Sequence, residues 1–104
     1  MAKYPIYLEM SGRRAVIIGG GAVAVRKAES LIEAGARVTL VAEHFTTGTE
    51  EAMAQLNAAT ILSRYHKDFL VAATLVIAAT DNSELNRRIY EDCQELEILC
   101  NVVD

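Results

Sequence analysis

A chain of 104 residues, 52% of them apolar, points to one domain with a buried core. Its formal net charge of −4, with no run of basic residues, leaves no electrostatic footprint for nucleic acid. No apolar stretch approaches the roughly 20 residues that cross a bilayer, and Met1-Ala2-Lys3-Tyr4-Pro5 lacks a signal-peptide core. The expected partners therefore include neither nucleic acid nor membrane, and the expected compartment is the cytoplasm.

In chain order, Ile6-Tyr7-Leu8-Glu9 is a candidate short strand, followed by a turn at Ser11-Gly12. Ala15-Val16-Ile17-Ile18 is an apolar run that ends in three glycines and reads as a strand buried on both faces. From Val23 to Ala34 the period becomes helical, with Ala24, Ala28 and Leu31 on one face, Val25 and Ile32 beside it, and Gly35 just past the end. Val38 to Ala42 is a second buried strand. Thr47 to Ala58 is a weaker helix with Met53 and Leu56 as core candidates, and Thr60 to Ser63 a third strand. Phe69-Leu70-Val71 suggests a helical turn, and Leu75 to Ala79 a fourth strand. Ser83 to Glu95 is a helix with Leu85, Ile89, Cys93 and Leu96 at helical spacing, where Asp81 caps and Glu84 completes a capping box. Ile98 to Val103 is the last strand. Cys93 and Cys100 have no metal-ligand spacing and read as partly buried free thiols.

Strands alternating with helices require parallel pairing, because parallel neighbours need a crossover. The expected fold is α/β: a Rossmann-type open parallel sheet in strand order 3-2-1-4-5, with helices on both faces. Residues 1–104 form one dinucleotide-binding domain. Because ligands of such sheets bind beyond the carboxyl ends of the strands, a chain that stops directly after a strand reads as a piece of a longer enzyme.

Gly19-Gly20-Gly21-Ala22-Val23-Ala24 lies between the first strand and first helix and matches G-x-G-x-x-A. Gly19 permits the tight turn, Gly21 lets a pyrophosphate approach the backbone, and Ala24 keeps helix and strand close. The first N–H groups of the helix and its positive dipole end then face the phosphates. An acid about 20 residues further on should hydrogen-bond the adenosine ribose. The second strand ends in Val41-Ala42 with no acid at its tip, but Glu43 stands just beyond it. No arginine neighbours it in sequence, which favours NAD over NADP. After the fourth strand, Thr80 is placed to offer a hydroxyl or backbone group to the nicotinamide-side ribose. His44 and His66 read as ordinary loop residues.

Beyond the glycine loop, several segments in order resemble the N-terminus of the siroheme synthase family. They are Tyr4-Pro5-Ile6-Tyr7, Gly12-Arg13-Arg14, the loop through Arg26-Lys27, Glu33 to Thr39, Ala78-Ala79-Thr80-Asp81, and Asn101-Val102-Val103-Asp104. The resemblance implies an NAD-dependent precorrin-2 dehydrogenase that oxidises precorrin-2 to sirohydrochlorin. In some members it also implies a lyase activity, the insertion of Fe²⁺ to make siroheme. It implies Asp104 as the catalytic residue, and backbone contacts to NAD at Ala22, Val23, Glu43 and His44. The substrate would be a tetrapyrrole polycarboxylate, and the parent enzyme a homodimer, since full members continue into a dimerisation region and a helical domain. Arg13 and Arg14 should lie at the sheet end away from the ligand, so most tetrapyrrole-binding groups should belong to the rest of such an enzyme. No metal-ligand cluster is visible.

Two other classes fit the glycine loop. A nucleotide-sensing module would bind NAD(H) without chemistry, but usually places an acid at the tip of its second strand. A methyltransferase-like domain would prefer S-adenosylmethionine and more often lacks the triple glycine followed by Arg26-Lys27. Ligand preference separates the three.

Overall fold

A computed structural model of the chain describes residues 2–103. Five strands, β1 (Arg14–Ile18), β2 (Arg37–Ala42), β3 (Ala59–Leu62), β4 (Leu75–Ala78) and β5 (Leu99–Val102), form one sheet in order β3-β2-β1-β4-β5. Every pairing is parallel. Three α-helices and one 3₁₀ turn connect them: α1 (Ala22–Glu33), α2 (Thr49–Gln55), α3 (Ser83–Leu96) and a turn at Lys67–Leu70. This is the doubly wound order, with its switch point between β1 and β4, where the chain changes faces.

Alternation along the strands explains the two faces. Ala15 and Ile17 of β1, Val38 and Leu40 of β2 and Ile77 of β4 bury against α1 and α2 through Ala24, Ala28 and Met53. Val16, Ile18, Val41, Val76 and Ala78 point the other way, onto Leu70, Ile89 and Cys93. Strands buried on both faces must be apolar at successive positions, hence the unbroken runs. Ala24 and Ala28 of α1 have no exposed surface, which lets that helix lie close to β1.

Local chemistry sets the ends of the helices. α1 stops in a Schellman turn: Gly35 has φ +87, its N–H bonds the Ile32 carbonyl at 2.9 Å, and the Ala36 N–H bonds Leu31 at 3.0 Å. α3 starts at a different cap from the one expected. Asn82, not Asp81, holds the extended conformation, and its side chain accepts from the Leu85 N–H at 3.1 Å. Thr80 explains the shift by one residue. Its hydroxyl accepts from the Asn82 N–H at 3.2 Å and folds Asp81 outward into solvent. Glu84 then falls one residue short of the capping-box position and serves only as an acid in the first turn.

Three other expectations are corrected. Ile6 to Glu9 form no strand, because no neighbouring strand pairs with them, and Ile6 and Tyr7 stand 58% and 103% exposed. Leu56 lies just past the end of a short α2 and is exposed, so Met53, with Thr49 at its start, anchors that helix. Leu96 is the last residue of α3, where Glu97 in the left-handed conformation turns the chain into β5, and it too is exposed.

Since Asn82 supplies the cap, Asn82→Ala should cost about 1 kcal/mol of stability, whereas Asp81→Ala should stay within about 0.5 kcal/mol. Urea unfolding of the two variants side by side checks the assignment, and the reverse ranking would refute it.

Candidate functional site

The five strand ends are tied together by backbone bonds that run one residue beyond the regular ladder. Ser63 N–H bonds the Ala42 carbonyl at 2.8 Å, Gly19 bonds Val41 at 2.9 Å, Ala79 bonds Ile18 at 2.9 Å and Val103 bonds Ala78 at 2.9 Å. These bonds form the floor of a cleft of about 590 Å³, which opens at the carboxyl ends of the strands. A ligand cleft at the switch point of an open α/β sheet is where such folds bind.

Gly19, Gly21, Ala22, Val23, Glu43, His44 and Thr80, all singled out in the sequence, line this one cleft. Each of the three glycines does something different. Gly19 has φ +148, and a Cβ there would strike the Ala79 carbonyl oxygen. Gly20, for which the sequence suggested no role, would strike the His44 carbonyl oxygen and come within 2.9 Å of the Ala42 Cβ. These two positions must be glycine for the fold itself. Gly21 differs: a Cβ there meets nothing within 4 Å, and its φ of −100 suits any residue. Its Cβ would project into the open cleft, the space a pyrophosphate needs.

Gly21 is also the N-cap of α1. No side chain caps that helix, and its first turn holds no acid. The first helical bond is Val25 N–H to the Gly21 carbonyl at 3.1 Å, so the N–H groups of Ala22 and Val23 precede any intrahelical partner. Two orphan donors and a positive dipole end thus meet the cleft, where an anion would satisfy both. α3, by contrast, brings its own cap and a first-turn acid.

On the β4 side, Thr80 is held by Asn86, a buried polar residue that sequence reasoning passed over. Thr80 Oγ1 donates to Asn86 Oδ1 at 2.6 Å, and its N–H donates to the same oxygen at 3.2 Å. Asn86 Nδ2 donates back to the Thr80 carbonyl at 3.1 Å. The Thr80 hydroxyl hydrogen is therefore engaged within the protein, and the residue forms a fixed wall whose remaining polar capacity is as an acceptor. The Asn86 signal was present in sequence as a polar residue one position from the apolar stripe of α3.

On the β2 side, Glu43 is exposed and its Oε1 lies 3.5 Å from Arg64 Nε. Sequence reading found no arginine beside Glu43, but parallel pairing of β2 with β3 sets Ser63 level with Glu43 and brings the next residue, Arg64, within reach of it. Tyr65 fixes the same loop. Its hydroxyl donates to Asp92 Oδ2 at 2.6 Å, and the Arg88 guanidinium carbon sits 5.6 Å from its ring centroid. Burial, then the bond to Asp92, raises its pKa far above the ordinary phenol range. Tyr65 stays protonated and acts as a strut rather than a proton carrier.

The cysteines stand apart from the cleft. Cys93 is buried and Cys100 half-buried, both as free thiols. Burial, reinforced by Cys100, pushes the Cys93 thiol up to about 12, so it supplies no thiolate near neutrality. Among the described residues, no three His, Cys, Asp or Glu gather as a metal site would require. No helix among those residues is long and apolar enough to cross a membrane. Asp104 lies outside the described residues. Val103, before it, lines the cleft.

Neighbouring glycines should therefore separate fold from binding. Gly20→Ala should destabilise by about 1–3 kcal/mol through overpacking. Gly21→Val should lose no more than about 1 kcal/mol while abolishing detectable dinucleotide binding. Thermal unfolding and calorimetric titration of both variants check this contrast.

Comparison with known proteins agrees with this geometry. The chain is 36% identical over 104 residues to a siroheme synthase of Psychrobacter cryohalolentis, a match to all of this chain and 20% of that one. It is 39% identical over 108 residues to the siroheme synthase of Salmonella schwarzengrund, covering all of this chain and 23% of that one. It thus spans about a fifth of the length of these relatives. Among solved structures, a protein titled "SirC, precorrin-2 dehydrogenase" superposes with a TM-score of 0.77 at 22% identity, over 95% of this chain and 48% of that one. That likeness establishes the shared Rossmann-type fold. The family described as "Putative NAD(P)-binding" matches residues 6–104, and with nearly its whole length inside that match, the chain belongs to this NAD(P)-binding family.

Proposed function

We propose that this chain is the NAD-binding domain of a precorrin-2 dehydrogenase in siroheme biosynthesis. The observation that carries the reading is the uncapped N-terminus of α1 behind Gly21, opening into a cleft at the switch point. The names of the relatives, siroheme synthases and a precorrin-2 dehydrogenase, supply the substrate class.

The residues have definite tasks in such a reaction. The Ala22 and Val23 N–H groups hold the pyrophosphate, and the backbone at Glu43 and His44 faces the adenosine half. The wall at Thr80 bounds the nicotinamide half. A nicotinamide bound there supplies the hydride acceptor. Removal of the accompanying proton needs a base, and Asp104 follows the cleft-lining Val103. A positioned carboxylate of this kind contributes roughly 10²–10⁴-fold. In members that also chelate iron, the same carboxylate would take pyrrole protons as Fe²⁺ enters the substrate's own nitrogens.

The tetrapyrrole's carboxylates need cations that this cleft does not concentrate. Arg14 begins β1 at the opposite end of the sheet, where its Nη2 donates to the Phe69 carbonyl at 3.0 Å. Those cations belong, in this reading, to the remainder of a homodimeric, cytoplasmic enzyme.

Calorimetry of this chain should show NAD⁺ binding in preference to S-adenosylmethionine, and the opposite preference would overturn the reading. In a chimera where this chain replaces the matching fifth of a siroheme synthase, NAD⁺ should support formation of sirohydrochlorin from precorrin-2. There Asp104→Asn should slow the oxidation by roughly 10²–10⁴-fold with NAD⁺ affinity unchanged. A chimera that binds NAD⁺ without oxidising precorrin-2 would favour a sensing module.

A further inference from the structure

We propose that Arg64 determines cofactor choice at the adenosine ribose, pairing with Glu43 so that the cleft accepts NADP⁺ as well as NAD⁺. The inference rests on the dinucleotide reading above and adds a residue and a ligand to it.

In this fold, an acid beyond the second strand hydrogen-bonds the ribose 2′-hydroxyl and repels a 2′-phosphate, while an arginine nearby accommodates the phosphate. Here one of each stands at the same corner. Glu43 lines the cleft next to the tip of β2. Arg64 follows β3, and its Nε lies 3.5 Å from Glu43 Oε1. The two meet because Ala42 and Leu62 are register partners and Ser63 N–H bonds the Ala42 carbonyl at 2.8 Å. Glu43 and Ser63 are therefore held level, and Arg64, one residue further along, comes within reach of the Glu43 carboxylate.

The backbone on either side of Arg64 is anchored. Ser63 and Tyr65 both line the cleft, Ser63 by its bond to β2 and Tyr65 by its hydroxyl on Asp92 at 2.6 Å. The guanidinium is not anchored: its side chain is 90% exposed, and among the described residues its ionic contact is to a carboxylate 65% exposed. An ion pair in water this open is weak and is readily exchanged. A 2′-phosphate carries more charge than the carboxylate and matches the guanidinium fork, so it can draw Arg64 away from Glu43. When NAD⁺ binds instead, Arg64 stays on Glu43 and leaves an oxygen of that carboxylate to accept from the 2′-hydroxyl. The pair thus offers an acceptor to one cofactor and a cation to the other, and Arg64 screens the repulsion that Glu43 alone would exert on NADP⁺.

Calorimetric titration of the chain with NAD⁺ and NADP⁺ tests this. The unaltered chain should bind both, with dissociation constants within about tenfold of each other. Arg64→Ala, at a side chain exposed enough to leave folding intact, should weaken NADP⁺ about tenfold or more, as expected for a lost charge-assisted contact. Its NAD⁺ affinity should change less than about threefold. Glu43→Gln should move preference toward NADP⁺, and Arg87→Ala, at an exposed arginine of α3 that does not pair with Glu43, should change neither. Equal weakening of both cofactors by Arg64→Ala, no effect on either, or an unaltered chain that binds NAD⁺ but not NADP⁺ would overturn the proposal while leaving the dinucleotide site standing. Binding of neither cofactor would remove the dinucleotide reading, and this proposal with it.

Discussion

The architecture depends on how closely the turn after β1 approaches its two neighbours. At Gly19 the chain passes under the Ala79 carbonyl, and at Gly20 it passes against the His44 carbonyl and the Ala42 side chain. No side chain fits at either contact. The approach brings the tips of β2 and β4 together over the central strand and sets the start of α1 between them. It also lets Gly19 N–H reach Val41 and the Thr46 N–H reach the Gly20 carbonyl at 3.0 Å. Without that compression the strand ends would diverge, and the donors of α1 would face open solvent instead of a cleft.

Much of this is legible in the sequence because it is local. Apolar runs such as Ala15 to Ile18 and Leu75 to Ala78 mark strands covered on both sides, and the change to a helical period after Gly21 marks the crossover that makes the pairing parallel. Strand order follows from those crossovers with little freedom. The glycine loop, the residues after β2 and Thr80 converge for the same reason: each follows a parallel strand, so all lie at one end of the sheet. What sequence reasoning missed depends on tertiary contact. Gly20 looks like a filler between two motif glycines until His44 is placed over it. The cap moves from Asp81 to Asn82 because Asn86, a turn further along α3, has already claimed Thr80. Arg64 is distant from Glu43 in sequence and adjacent only through the β2–β3 register.

The two long helices that enter the cleft end show how stability and function divide. Both begin at the carboxyl ends of strands and both present orphan N–H groups. α3 has its Leu85 N–H taken by the Asn82 side chain and carries a first-turn acid in Glu84, so its end is already partly capped from within. α1 forgoes a side-chain cap, a sacrifice of roughly a few tenths of a kcal/mol at a glycine, and carries no acid in its first turn to compete for the dipole. A helix whose only task was to cover the sheet would gain by placing Ser or Asp at position 21, where backbone conformation and free space both allow it. Glycine there makes sense if the space is reserved for an anion that supplies the missing partner on arrival.

The same division governs polar groups around the cleft. Thr80, Asn86, Tyr65 and Asp92 form short bonds among themselves, between 2.6 and 3.2 Å, and are partly or fully buried. Buried polar groups joined in this way are costly to disturb, so they fix the walls rather than react with what enters. Glu43 and Arg64 lie at the opposite extreme, solvent-exposed and held, among the described residues, by one another. Their contact costs little to break, so the corner of the cleft beyond β2 is where the protein can most easily adjust to what enters. A fixed set of walls and one exchangeable corner follow from burial: the walls are built from satisfied groups, and the corner beyond β2 keeps its charges in contact with water.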